Sequence, residues 1–414
     1  MQQIRADMAQ AAPMSRLVQG DVGSGKTAVA FYALYIAVQN GRQGVLMAPT
    51  ELLALQHAQA AEALFARFGH TATLLRAGMK AAEKREALRR IESGESQIVI
   101  GTHALIQKDV QFCRLGVVVA DEQHRFGVAQ RARLMDKGDG AHALFLSATP
   151  IPRTLSLILY GDLDLSVVDE MPKGRKPVQT RIVPPHKRAG LVSFLKAQAQ
   201  AGRQAYVVCP KIEDEADVGV VQTAQQVYMT LCQQLPTLKL GLLHGRVKQS
   251  ERERVMQGFL QGEIQILVST TVIEVGVNVP NATVMVVENA ERFGLAQLHQ
   301  LRGRVGRGSE ESWCFLCTEE AQNERLQTLC RTNDGFAIAR ADLEQRGPGA
   351  FLGQEQHGRA DLRISTMLRD PLLLDEVMQA FQALQTAQQA QRFAQLCALA
   401  TQKYEAQLQE VVFN

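Results

Sequence analysis

The stretch RLVQGDVGSGKT, residues 16 to 27, constrains this chain more than any other. A short apolar run leads into a glycine-rich loop, and a long apolar helical pattern follows it. Gly20-x-x-x-x-Gly25-Lys26-Thr27 is the spacing of a phosphate loop. Glycines let backbone N–H groups turn inward around an anion, and a helix opening near Lys26 aims its positive end at the same point. Gly20, Asp21, Gly23, Ser24, Gly25, Lys26 and Thr27 are therefore the candidate nucleotide-binding set. Lys26 is expected to neutralise the β- and γ-phosphates of ATP, and the Thr27 hydroxyl to ligate Mg2+.

The surroundings fit that loop. The runs 45–49, 97–102, 115–122 and 143–150 are short, apolar and rich in β-branched residues, and helix-like stretches such as 51–67 and 79–92 separate them. This alternation predicts a parallel sheet with helices on both faces. Residues 169–180, DEMPKGRKPVQT, read as a linker. A second alternation follows, with strand-like runs at 204–210, 238–245, 264–270, 282–289 and 313–318 and helical patterns at 185–201, 219–234 and 248–261. Past residue 320 the strand signal stops. Helices are expected at 319–331 and 334–345, then a Gly/Pro loop at 346–353 and a helical tail. The expected division is 1–168, the linker 169–180, 181–318, and a helical region 319–414.

Bulk composition narrows the class. The 414 residues suggest two or three domains, and 45 basic against 42 acidic residues leave a net charge of only +3. Any nucleic-acid site must then be a local patch. No apolar run is long enough for a bilayer span, and the charged N-terminus lacks a secretory h-region, so a cytoplasmic location away from membranes is expected. Cys314 and Cys317 have the spacing of half a zinc site. With no second pair to complete it, the segment reads as a buried strand.

Asp121 and Glu122 end the run LGVVV. A carboxylate at the carboxyl end of a buried parallel strand sits where ligands bind. Asp121 is expected to hold Mg2+ from a strand neighbouring the phosphate loop, and Glu122 to orient and deprotonate the attacking water. In the second half, QLRGRVGRG (300–308) supplies Gln300, Arg304 and Arg307. Alone, such a run is a solvated or anion-binding patch. Paired with a phosphate loop, Arg304 and Arg307 become cations for the developing γ-phosphate charge, with ATP in a cleft that closes on binding and opens on hydrolysis. Ser147-Ala148-Thr149-Pro150 either couples the nucleotide site to the next domain or merely caps a turn.

The set GDVGSGKT, APTELLALQH, GTHAL, DEQHRFG, SATPIPRT, VSTTVIEVGVNVPNA and QLHQLRGRVGRG stands in the order used by superfamily 2 helicases. DEQHRFGV with SATPIPRTL, and TNDGFAIARADLEQRGPGAFLGQEQHG at 332–358, resembles the RecG family of branched-DNA motors. The transcription-repair coupling factor shares nearly the same core and is the alternative; a third reading is a remnant that binds DNA or ATP without productive unwinding.

The resemblance implies two RecA-like domains in tandem, then a helical hairpin and tail. It implies an ATP-dependent helicase acting on forked or branched duplex DNA in recombination and repair, as a monomer, with a single-stranded DNA-binding protein as a further partner. Pro49, Thr50, Glu51, Gly101, Thr102, His103, His244, Gly245, Ser269, Thr270 and Thr271 match segments that contact the DNA backbone. Arg325, Arg346 and Gln356 match the translocation element. Ala350 and Glu355 depart from the family pattern, where an acidic and a basic residue are usual, which bears on coupling rather than on ATP binding. A wedge region is expected ahead of such a motor. Only MQQIRADMAQAAPMS precedes Arg16, which reads as the tail of an adenine-recognition helix, so the chain is expected to be the motor without its wedge.

Overall fold

The computed structural model of the chain describes residues 1–122, 137–138, 140–148, 163–172, 176–210, 224–270, 279–308, 310–320, 322–346, 376, 380, 383–384 and 390–412. The chain divides into two compact units, one of Met1–Ile151 with Asp162–Asp342, the other of Pro152–Gly161 with Leu343–Asn414.

The first unit holds two parallel sheets. Strands β1 (Ser15–Gly20), β2 (Gln43–Met47), β3 (Ala72–Leu75), β4 (Ile98–Gly101), β5 (Leu115–Ala120), β6 (His142–Ser147) and β7 (Asp164–Val168) lie in the order β3-β4-β2-β5-β6-β1-β7. The central strands are buried along their whole length, as continuous apolar runs require when both faces are covered. Helices α1 (Gln2–Met8), α2 (Lys26–Gln39), α3 (Glu51–Phe65) and α4 (Ala81–Glu92) connect and flank these strands. Phe31 and Leu34 of α2, Phe65 of α3 and Ile4 of α1 join Leu46, Ile100 and Val119 in one core.

The second sheet contains β8 (Gln179–Val183), β9 (Gln204–Cys209), β10 (Leu240–Leu243), β11 (Ile266–Thr270), β12 (Ala282–Val287) and β13 (Trp313–Cys317), ordered β10-β11-β9-β12-β13-β8. Its helices are α5 (Arg188–Gln200), α6 (Ala224–Gln234), α7 (Gln249–Leu260) and α8 (Leu295–Arg302), followed by α9 (Glu324–Arg331) and α10 (Gly335–Arg346). One core covers each face of this sheet. Cys314 and Cys317 lie buried in β13, where burial pushes the Cys314 thiol up to about 12.

Three edge strands escape the hydrophobic pattern. β7 has no buried residue, β3 is only four residues long and half-buried on alternate positions, and β8 is mostly polar. Edge strands need no continuous apolar run, because one side meets solvent. β8 begins at Gln179, inside the last two residues of the stretch expected to be a linker. The expected helices at 319–331 and 334–345 are the shorter α9 and the matching α10. In the second unit α11 (Ala390–Val412) is a long helix with Leu396 and Leu399 exposed. No described helix is long and apolar enough to cross a membrane.

Candidate active site

β1 ends at Gly20 and α2 starts at Lys26, so the expected strand, loop and helix are all present. Gly23 and Gly25 take φ values of 78° and 93°, which residues with a Cβ rarely adopt. Lys26 is buried, and its ammonium donates to the carbonyls of Gly20 and Asp21 at 2.8 and 2.7 Å. Thr27 is exposed in the first turn of α2. The Ser24 hydroxyl is buried and has no hydrogen-bond partner among the described residues. A buried hydroxyl left unsatisfied is costly, and a phosphate oxygen in the loop would relieve it. The loop therefore fits a phosphate chain.

Charges from both sheets act on this lysine. Burial pushes the Lys26 pKa down, the carboxylates of Glu122, Asp121 and Asp21 oppose that, and the Arg307 guanidinium adds to it; the balance is a lowered value. Asp121 and Glu122 follow β5. The strand order places β6 between β5 and β1, so these carboxylates stand one strand further from the loop than the expected neighbouring position. Glu122 takes a left-handed φ of 56°, uncommon outside glycine. His57 of α3 approaches Asp121, Nε2 to Oδ2, at 3.0 Å.

Gln300 sits half-buried on α8, Arg304 is buried just after it, and Arg307 is half-buried, its Nε donating to the Gly303 carbonyl at 3.2 Å. The two halves of the site touch here. A Cβ on Gly303 would stand 2.6 Å from that of Val22, so only glycine allows this approach to the phosphate loop. Leu52, at the start of α3, packs against the core of the second sheet.

Asp21 forms a further contact between the halves. Its Oδ1 accepts from the Val22 amide at 2.6 Å and lies 2.5 Å from Nε2 of His299. Its Oδ2 accepts from the Gly335 amide, the first residue of α10, at 3.3 Å. Burial works to raise the Asp21 pKa, but His299 and the two amides outweigh it and leave the carboxyl below its ordinary value. Arg302 completes the cluster, donating to Nδ1 of His299 at 2.8 Å and to the carbonyls of Leu329 and Thr332 at 2.7 and 2.9 Å.

Among the residues expected to meet DNA, Pro49, Thr50 and Glu51 follow β2, and Thr102 and His103 follow its neighbour β4. Thr50 caps α3, its hydroxyl accepting from the Leu53 amide at 3.4 Å. Glu51 accepts from Arg76 at 3.2 Å and from the Gly78 amide at 3.3 Å. Pro49 is half-buried, Thr102 buried and His103 exposed. Thr270 is half-buried at the end of β11, with Ser269 buried before it. Arg325 donates to the Phe293 carbonyl at 2.8 Å. Arg346 is the last residue of α10. Thr271, Gln356, Thr149, Pro150, Ala350 and Glu355 lie outside the described residues. His57, His299 and Arg302 were not among the expected site residues. One signal was available for the last two: they stand one helical turn apart in the same segment as Arg304 and Arg307.

Three family models match in succession: DEAD/DEAH box helicase over residues 2–158, Helicase conserved C-terminal domain over 186–309, and ATP-dependent DNA helicase RecG, domain 3, C-terminal, over 332–404. The ATP-dependent DNA helicase RecG of Bacillus subtilis (strain 168) is 47% identical over 393 residues, which is 94% of this chain and 56% of that relative. The chain belongs to the RecG family. A solved RecG bound to a three-way DNA junction matches with a TM-score of 0.74 at 47% identity, covering 90% of this chain and 49% of that one. S. cerevisiae Dbp5 bound to RNA and ADP BeF3 matches with a TM-score of 0.59 at 16% identity, over 83% of this chain and 86% of that one, which shows the shared RecA-like fold. The chain spans about half the length of the curated RecG relatives it matches.

Proposed function

We propose that this chain is an ATP-driven DNA motor of the RecG type, coupling ATP hydrolysis to movement on branched duplex DNA such as replication forks and Holliday junctions. The observation that carries the reading is the meeting of the two halves at the phosphate loop, where Lys26 feels both the acids after β5 and Arg307 after α8. A site built from two sheets responds to the nucleotide by changing how the sheets meet, which is what a motor needs.

Lys26, with the loop amides around it, holds the phosphate chain. Thr27 and Asp121 would hold Mg2+, which would supply positive charge to the phosphate chain. Glu122 takes the proton of the attacking water. Arg304 and Arg307, with Gln300 beside them, face the charge that grows on the γ-phosphate. Pro49, Thr50, Glu51, Thr102, His103, Thr270 and Thr271 follow the DNA backbone with short side chains and amides, and Arg325, Arg346 and Gln356 serve the translocation element. The same reading divides the chain at 1–168, 181–318 and 319–414. It places the protein in the cytoplasm as a monomer, with a single-stranded DNA-binding protein among its partners.

Steady-state ATP turnover of this chain, alone and with single-stranded, duplex and forked DNA, tests the reading, with Lys26→Ala as control. Turnover that rises with DNA and is lost in the control supports it. Absence of turnover with every DNA would leave a remnant that binds without working.

A further inference from the structure

Asp21 belongs by position to the phosphate loop, yet its carboxylate serves another structure. One oxygen meets His299 and the other meets the first amide of α10, 278 and 314 residues away. Asp21 is 8% exposed, His299 4% and Arg302 2%. Buried charges of this kind persist only when they are matched.

The proton in this cluster can be placed. A guanidinium only donates, so the His299 Nδ1 that faces Arg302 must carry the lone pair. The ring proton is then on Nε2, and it points at Asp21. The order is Arg302 cation, neutral imidazole, Asp21 carboxylate. Each member fixes the orientation of the next.

Two of these residues, Arg302 and Asp21, hold the turn between α9 and α10 from both sides. Arg302 bonds the carbonyls of Leu329 and Thr332, at the negative end of α9. Asp21 bonds the Gly335 amide at the positive end of α10, beside Asp334, whose carboxylate accepts from the Phe336 amide at 2.9 Å. Both choices follow the helix dipoles. The cluster also borders a cavity of about 330 Å³ lined by Asp21, Ser24, His299, Arg302, Gly303 and Phe336. There is room beside it for the turn to move.

We propose that Asp21, His299 and Arg302 form a relay that sets the pose of the α9–α10 turn according to the state of the phosphate loop. Asp21 is then a positioning residue for the turn as well as a member of the phosphate loop. The link to nucleotide rests on the ATP reading above; the mechanical link between loop and turn does not.

Amide hydrogen exchange on the full chain tests this, comparing wild type with His299→Leu and Arg302→Lys, with and without AMP-PNP. Without nucleotide, exchange over 329–337 is expected to rise about tenfold in both variants while β9 and β12 keep their protection, which controls for folding. With AMP-PNP, wild type is expected to change its exchange over 329–337. The variants are expected to bind AMP-PNP within roughly threefold of wild type yet show no such change. Unaltered exchange over 329–337 in both nucleotide-free variants overturns the relay, and so does a variant that still transmits the AMP-PNP response. If wild type binds no AMP-PNP, the ATP reading fails, and the nucleotide-free comparison decides the link between loop and turn by itself.

Discussion

His57 and Asp121, one on helix α3 and the other at the end of β5, meet at 3.0 Å between Nε2 and Oδ2, while Oδ1 of the same carboxylate accepts the Glu122 amide at 3.1 Å. Both oxygens of the proposed magnesium-holding group are therefore oriented by neighbours before any ion arrives. Partners of this kind are worth roughly 10–100-fold in metal affinity or activity. His57→Ala is expected to raise the Mg2+ concentration for half-maximal ATP turnover by about tenfold. A titration of turnover against Mg2+ checks this; an unshifted midpoint would show that Asp121 needs no help from α3.

Lys26 has a lowered pKa because it is buried, and its charged form is the one that holds phosphate. Charge is lost as pH rises through the lowered value, earlier than the 10.5 of an ordinary lysine. The KM for ATP is expected to climb toward alkaline pH by up to about tenfold per unit beyond that point. Lys26→Arg, whose guanidinium stays charged, is the comparison, and its KM should stay flat over the same range. Parallel pH profiles for the two proteins would exclude Lys26 as the titrating group.

Gly303 is set against Val22 so closely that a methyl group has no place there. Gly303→Ala must push the second sheet away from the phosphate loop or strain one of them. Overpacking of this sort costs about 1–3 kcal/mol. Denaturant unfolding should show that loss, and DNA-stimulated turnover should fall further than stability alone explains. A variant with full turnover would mean that the two halves need not approach this closely to work.

His142 accepts the Met14 amide on Nδ1 at 2.9 Å, which requires a neutral ring. Burial lowers its pKa, the Arg42 charge lowers it further, and Asp7 opposes both. The unfolded chain therefore takes up the proton first as pH falls below 6.5. The contribution of His142 is complete above that pH and declines on the acid side until the folded value is passed, with a slope of at most about 1.4 kcal/mol per pH unit. Urea unfolding between pH 8 and 5 is expected to show a shallower decline in His142→Asn, whose amide oxygen can accept from Met14 without titrating. Identical slopes would assign the decline to other groups.

Much of this molecule could be read from its residues in order. The phosphate loop declares itself through glycines at fixed spacing, and the buried strands through uninterrupted runs such as LGVVVA. Strands β3, β7 and β8 could not be read in that way, because an edge position asks for less apolar surface: β3 is short and β7 and β8 are broken by polar residues. Thr50 is a lesson of the opposite kind. Its place in APTELLALQH matches a DNA-contact segment, and the structure also gives it an ordinary duty as the cap of α3. The contacts of Asp21 were the least legible part. Its partners His299 and Gly335 lie more than two hundred residues away, and nothing in local periodicity joins them.

Position 21 answers to two masters. Its carbonyl belongs to Lys26 and its carboxylate to His299 and the start of α10. A lineage free to alter only one of these duties has few choices at this residue. Replacement by a neutral or longer side chain would demand a matching change at 299, and the two positions should therefore drift together through descent, leaving paired substitutions as the historical trace of a contact between distant parts of the chain.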